Sequence, residues 1–184
     1  MMEFRIHGRG GQGAVTTAEL LALAAIGEGK FAQAFPSFGP ERRGAPVMAF
    51  SRISEGPIRI RSRVYEPDVV VVLDQSLLDL VQVEEGLKEE GIVVANFSGD
   101  PSRFLSRLRG KQKFYYVDAN SIAAQVLGRA ITNTTMIGAL VKATGILTLE
   151  SFEGPVKERF GRLAERNLEA MRRAFEAVKG NSSK

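Results

Sequence analysis

The run Val69-Val70-Val71-Val72-Leu73 constrains this chain more than any other segment. Consecutive apolar residues leave no polar face, so a strand built from them must be covered on both sides, as the strands of parallel sheets are. A strand with one wet face would alternate apolar and polar residues instead. Residues 92–96 and 114–117 repeat the pattern, each followed by polar residues. Stretches with helical spacing surround these runs. Ala14–Gly27 has a broad apolar side made by Leu20, Leu21, Leu23, Ala24 and Ile26. Residues 121–127 stop at Gly128, and residues 134–144 place Met136, Ile137, Leu140, Val141 and Thr144 on one side. The alternation predicts an α/β fold: a mostly parallel, Rossmann-like sheet with helices on both faces. A length of 184 residues suits one domain. Its expected parts are an α/β core over 1–147, C-terminal helices over 148–179 and a polar, frayed tail over 180–184.

The rest of the chain fills in around that core. Residues 4–7 read as a short strand and residues 30–35 as a second one. An antiparallel hairpin follows, from residues 47–53 and 58–64, joined by the turn formers Ser54-Glu55-Gly56-Pro57. In its second strand Ile58, Ile60 and Val64 face one way and Arg59, Arg61 and Arg63 the other. Asp74 ends the valine run, and residues 76–83 read as a helix. The last third contains no predicted strand. Pro155 is expected as the first residue of a restarted helix, and Ala164, Leu168, Met171, Phe175 and Val178 form a packing stripe along a long helix over 163–179.

Composition removes several function classes. There is no cysteine and one histidine, His7. An iron–sulfur cluster needs thiolates, and structural zinc needs Cys and His in fours; neither can be assembled. No apolar run approaches the ~20 residues needed to span a bilayer, the longest being 20–26, and no signal-peptide core is present. A cytoplasmic location without membrane attachment is expected. The net charge is +4, but the basic residues are dispersed rather than blocked. With no reading module, nucleic acid is not an expected partner.

Two loops could carry chemistry. Gly8, Arg9, Gly10, Gly11, Gln12 and Gly13 match a dinucleotide fingerprint between a strand and a helix, where backbone N–H groups would accept a phosphate. A nicotinamide site also wants an acidic residue after the second strand, and this sequence offers Gln33, Phe35 and Ser37 there. The plain alternative is a tight turn that lets helix and strand pack closely. The second loop, residues 35–46, holds Phe35, Phe38, Glu41, Arg42 and Arg43. Loops of this length are commonly functional, and Phe with Arg is the composition of interface anchors. A subunit contact is the leading reading. Contact to an anionic ligand, or a plain surface loop, stays open. His7 reads as a hydrogen-bonded residue at a strand end, and Asp74 and Asp118 as helix caps. No Ser–His–Asp set exists, and Ser98-Gly99-Asp100-Pro101 is a turn rather than a thiamine-binding segment.

Together these loops carry a resemblance. His7-Gly8-Arg9-Gly10-Gly11-Gln12-Gly13-Ala14-Val15, then Ala32-Gln33-Ala34-Phe35-Pro36 and Gly39-Pro40-Glu41-Arg42-Arg43-Gly44-Ala45-Pro46, resemble the gamma subunits of pyruvate and branched-chain 2-oxoacid:ferredoxin oxidoreductases. The likeness runs from about residue 1 to 160, and Val72-Leu73-Asp74 and Thr135-Met136-Ile137-Gly138-Ala139 look like later blocks of it. The resemblance implies an enzyme that decarboxylates a 2-oxoacid, pyruvate favoured, on thiamine diphosphate with Mg. Electrons would pass through [4Fe-4S] clusters to ferredoxin, and coenzyme A would take the acyl group. It implies that the cofactors sit on alpha, beta and delta-type subunits, leaving this chain with no catalytic residue and no metal. It further implies that Phe35, Phe38, Glu41, Arg42 and Arg43 meet those subunits. The loop 8–13, with Arg9, Arg42 and Arg43, would shape the coenzyme A entrance. The rival reading is a free-standing nucleotide-binding oxidoreductase using Gly8 to Gly13.

Overall fold

The computed structural model describes residues 1–37 and 44–182. In chain order the elements are β1 (Met2–Arg9), α1 (Ala14–Gly27), β2 (Phe31–Pro36), β3 (Pro46–Ser54), β4 (Val69–Val72), α2 (Leu77–Leu80) and β5 (Ile92–Asn96). There follow α3 (Ser102–Leu105), β6 (Lys113–Val117), α4 (Ala119–Leu127), α5 (Asn133–Thr144), α6 (Glu153–Phe160), α7 (Ala164–Ala177) and β7 (Lys179–Ser182). The strands form one sheet in the order β2-β3-β1-β4-β5-β6-β7. Its centre is parallel, through the pairs β1–β4, β4–β5 and β5–β6. Its flanks are antiparallel, with β3 between β1 and β2 and β7 on β6. The expected α/β sheet with a parallel core is present.

The valine run does what its composition requires. Val69 and Val71 enter one core, with Phe4, Ile6, α1, α5 and α7, while Val70 and Val72 enter a second core with Leu77, Leu78, Phe104 and Phe114. Each such fully buried side chain contributes roughly 1.5–3 kcal/mol. Helices lie on both faces, but unequally. Those longer than one turn pack on the first face, whereas the second carries the single turns α2 and α3 and the segments around them.

Several expected boundaries are corrected. Residues 58–64 form no strand among the described residues. The antiparallel partners of β3 are β1 on one edge and β2 on the other, so no edge remained for them. Side chains satisfy their backbone instead: Arg52 Nη2 donates to the Ser62 carbonyl (2.7 Å) and Gln33 Nε2 to that of Ile58 (3.3 Å). The helix expected over 76–83 is one turn, because Val81 is extended and the Val83 carbonyl accepts from Arg5 rather than from a helical amide. Pro155 is the third residue of α6, not the first. The N–H groups of a first turn have no intrahelical partner, so proline is tolerated throughout it. The segment expected as a frayed tail starts a strand, β7, whose Gly180 lies directly against the Tyr115 ring on β6.

Gly138 marks a close helix contact. A Cβ built there would lie 1.9 Å from the Met171 carbonyl oxygen, so α5 and α7 touch backbone to backbone. Gly138→Ala should cost about 3 kcal/mol, read as a lower denaturant midpoint with an unchanged slope. Gly154→Ala, in α6 with open space around it, should be neutral or stabilising by up to ~1 kcal/mol.

Candidate functional site

The carboxyl ends of β1 and β4 form a switch point. The chain leaves β1 into α1 over one face and leaves β4 into α2 over the other, and open α/β sheets bind ligands at such crevices. Along β1, Phe4 and Ile6 enter the α1-side core. Alternation puts Arg5, His7 and Arg9 on the opposite side.

The glycine-rich loop closes on itself. Gln12 N–H donates to the Arg9 carbonyl (2.9 Å), and the Arg9 N–H donates to Gln12 Oε1 (2.7 Å). Gly11 (φ 93°) and Gly13 (φ 85°) adopt the left-handed conformation that favours glycine. Gly13 has a second reason to be glycine, since a Cβ there would lie 2.6 Å from Asn133 Nδ2. The loop is tied to the far end of the second loop by Gly10 N–H to the Ala45 carbonyl (2.9 Å) and Gly44 N–H to the Gly10 carbonyl (3.2 Å).

Arg9 and Gln12 brace the loop against β4. Arg9 Nε sits 3.3 Å from Asp74 Oδ2, while Nη2 donates to Ser76 Oγ (2.6 Å) and Nη1 to the Gly44 carbonyl (3.0 Å). Gln12 Nε2 donates to Asp74 Oδ2 (2.6 Å), and Ser76 N–H and Oγ both donate to Asp74 Oδ1 (2.9 and 2.6 Å). Partial burial pushes the Asp74 carboxyl up. The hydrogen bonds from Ser76 and Gln12, with the Arg9 charge, outweigh it and hold the group below its ordinary value. Asp74 is therefore an ionised tie bar with both oxygens occupied. Asp118 caps α4 by accepting from Ser121 N–H (2.9 Å), as expected.

At the start of α1 the situation is reversed. Gly13 supplies no side-chain cap, and the first helical bond runs from Thr17 N–H to the Gly13 carbonyl (2.9 Å). The amides of Ala14, Val15 and Thr16 have no partner among the described residues. Beside them stands Asn133, 5% exposed, whose Oδ1 is buried without a partner. Sequence reasoning missed Asn133, because an asparagine at a helix start reads as a cap. Its packing against Gly13 joins positions 120 residues apart, and nothing local signals it.

His7 lies where expected, buried at the end of β1, and its partner is Arg5, whose Nε donates to His7 Nε2 (3.1 Å). Phe35 is partly buried on β2 and packs against Phe50 with the rings tilted by 36° and their centroids 5.4 Å apart. Arg52 lies over its face at 5.2 Å. Phe38, Glu41, Arg42 and Arg43 lie outside the described residues. The described residues contain no group of three or more His, Cys, Asp or Glu able to hold a metal, and the sequence has no thiolate for a cluster. This chain's donor set does not fit an iron–sulfur centre. No helix among the described residues is long and apolar enough to cross a membrane. The dinucleotide reading loses its geometry too, because β3 stands between β1 and β2 and the second strand is not β1's neighbour.

Residues 3–177 match the family model described as pyruvate ferredoxin/flavodoxin oxidoreductase. The chain is 57% identical to the pyruvate/ketoisovalerate oxidoreductases common subunit gamma of Pyrococcus abyssi, over 96% of each chain. It is 52% identical to pyruvate synthase subunit PorC of Methanothermobacter thermautotrophicus, over 97% of this chain and 96% of that one. The crystal structure of pyruvate oxidoreductase subunit PORC from Thermotoga maritima superposes with a TM-score of 0.86 at 42% identity, over 98% of each chain. The chain belongs to the pyruvate ferredoxin/flavodoxin oxidoreductase family. It is a gamma-type subunit of a pyruvate/2-oxoacid:ferredoxin oxidoreductase.

Burial first, and then the Arg5 charge, push the His7 imidazole down from 6.5 to about 3. The folded ring stays neutral while the unfolded ring gains a proton below pH 6.5, so stability is lost as pH falls from 6.5 towards 3. The slope from this group is up to about 1.4 kcal/mol per pH unit. A His7→Gln chain should lack that slope, and the difference between the two chains' unfolding free energies against pH measures it.

Proposed function

We propose that this subunit binds none of the enzyme's redox or thiamine cofactors, and instead docks onto the subunits that do while presenting a phosphate of coenzyme A at the start of α1. The observation that carries the reading is the open N-terminus of α1. Three amides there lack partners among the described residues, and the loop holding them is fixed by Arg9, Gln12 and Asp74. Beside Gly13 stands Asn133 Nδ2, a donor, whereas the Asn133 Oδ1 can only accept and takes no part in holding an anion. Aligned N–H groups and the helix dipole favour an anion at this place. Arg9 is occupied by Asp74, Ser76 and Gly44, so its part is to hold the loop rather than to grip the ligand.

Pyruvate is the favoured 2-oxoacid, and the alpha, beta and delta-type subunits are the proposed partners. When bound there, thiamine diphosphate with Mg supplies the decarboxylation chemistry and [4Fe-4S] clusters the route to ferredoxin; this chain's residues bind and orient. Phe35 anchors one end of the docking loop against Phe50. Phe38, Glu41, Arg42 and Arg43 follow Phe35 in the sequence, and their composition supports a subunit contact.

In the reassembled enzyme Asn133→Ala should raise the KM for coenzyme A roughly tenfold, about 1.4 kcal/mol, with little change in the KM for pyruvate. An unchanged coenzyme A KM in an assembled Asn133→Ala enzyme would contradict the phosphate role. Separately, replacing both Arg42 and Arg43 by Ala should weaken assembly, read by co-purification of the other subunits, or raise the coenzyme A KM. The docking assignment fails if neither moves.

A further inference from the structure

On the sheet face away from α1, Arg5 and His7 line a cavity of about 610 Å³. Met48 and Phe50 of β3 supply apolar lining, and Arg63 and Tyr65 approach from the segment that follows. Ligand cavities commonly fall between ~300 and ~1,000 Å³. The volume suits a small organic molecule.

The polar groups on its floor are donors. Arg5 is buried and forms no ion pair among the described residues. Its Nε donates to His7 Nε2, and its Nη2 donates to the carbonyl oxygens of Val83 (2.9 Å) and Glu85. Nη1 has no partner among the described residues. Because His7 Nε2 accepts from Arg5, the neutral ring carries its proton on Nδ1. That N–H, too, has no acceptor among the described residues. The Glu85 and Glu84 carboxylates offset part of the Arg5 charge without pairing with it directly, so what the floor offers a ligand is two unused donors, Arg5 Nη1 and His7 Nδ1.

Arg63, whose guanidinium stacks 4.5 Å over the Tyr65 ring, adds a second positive charge. Glu66 and Glu85 also line the cavity and are exposed. The charged side chains lining the cavity therefore balance, Arg5 and Arg63 against Glu66 and Glu85. The unused donors lie on the buried floor and both carboxylates on exposed residues, an arrangement that opposes an anion carrying more than one charge. Guanidinium forks match the planar geometry of a carboxylate. We propose that this cavity binds a small monocarboxylic acid with a compact aliphatic body, its carboxylate on Arg5 and His7 and its hydrocarbon against Met48 and Phe50. The site lies across β1 from the start of α1, so it stands or falls independently of the coenzyme A reading.

The sequence has one histidine, so its ring nitrogens give a single set of NMR signals in the full chain. Isobutyrate is the probe, with isobutyramide as its uncharged isostere and inorganic phosphate as the multiply charged anion. Isobutyrate should shift the His7 ring signals saturably, and the amide and phosphate should bind at least roughly tenfold more weakly. Arg63→Ala removes an exposed charge without touching the core and should weaken isobutyrate several-fold. Unmoved signals, an amide or phosphate that binds as well, or an Arg63→Ala chain of unchanged affinity would each overturn the proposal.

Discussion

β1 is hydrogen-bonded along both edges, antiparallel to β3 and parallel to β4, and the rest of the molecule depends on that double pairing. It fixes the strand's register so that Phe4 and Ile6 stay in the core under α1. A slip by one residue would turn Arg5 and His7 into that core. It also fixes where the strand ends, and therefore where the glycine-rich loop begins. The two candidate ligand sites hang from the same strand, one at its carboxyl end over α1 and one on its opposite face.

Rigidity at that end is built from side chains rather than from more sheet. Asp74 gathers Arg9, Gln12 and Ser76, so the loop after β1 and the turn after β4 move together. Asn96 continues the tie: its Nδ2 donates to the Leu73 carbonyl (3.0 Å) and its Oδ1 accepts from Ala119 N–H (3.0 Å). Every ligand of this network is satisfied inside the chain. Among the described residues the amides at the start of α1 are not, and this contrast within one crevice separates the braced loop from the open donors beside it.

The parallel core was legible because burial on both faces leaves an unbroken apolar run, as at Val69–Val72, and because Gly128 stops α4 by local chemistry. What failed was whatever tertiary pairing decides. Ile58, Ile60 and Val64 alternate with arginines as a strand would, yet β3 had already used both edges on β1 and β2. The residues from Lys179 onward carry no strand pattern, yet they add to the free edge of β6. The site divides in the same way. The glycine loop announces itself by spacing, whereas Asn133 and the Arg5–His7 pair acquire meaning only when the fold brings Gly13, Val83 and Glu85 to them.

A gamma-type subunit of this family serves a larger assembly, and its proposed contribution lies in two neighbouring loops rather than in any reacting group. The most direct measurement is amide hydrogen exchange of this chain, alone and inside the assembled enzyme, with and without coenzyme A. Assembly should slow exchange across residues 35–46, and coenzyme A should then slow the amides of Ala14, Val15 and Thr16. If neither segment changed while protection appeared elsewhere on the chain, the account would be contradicted.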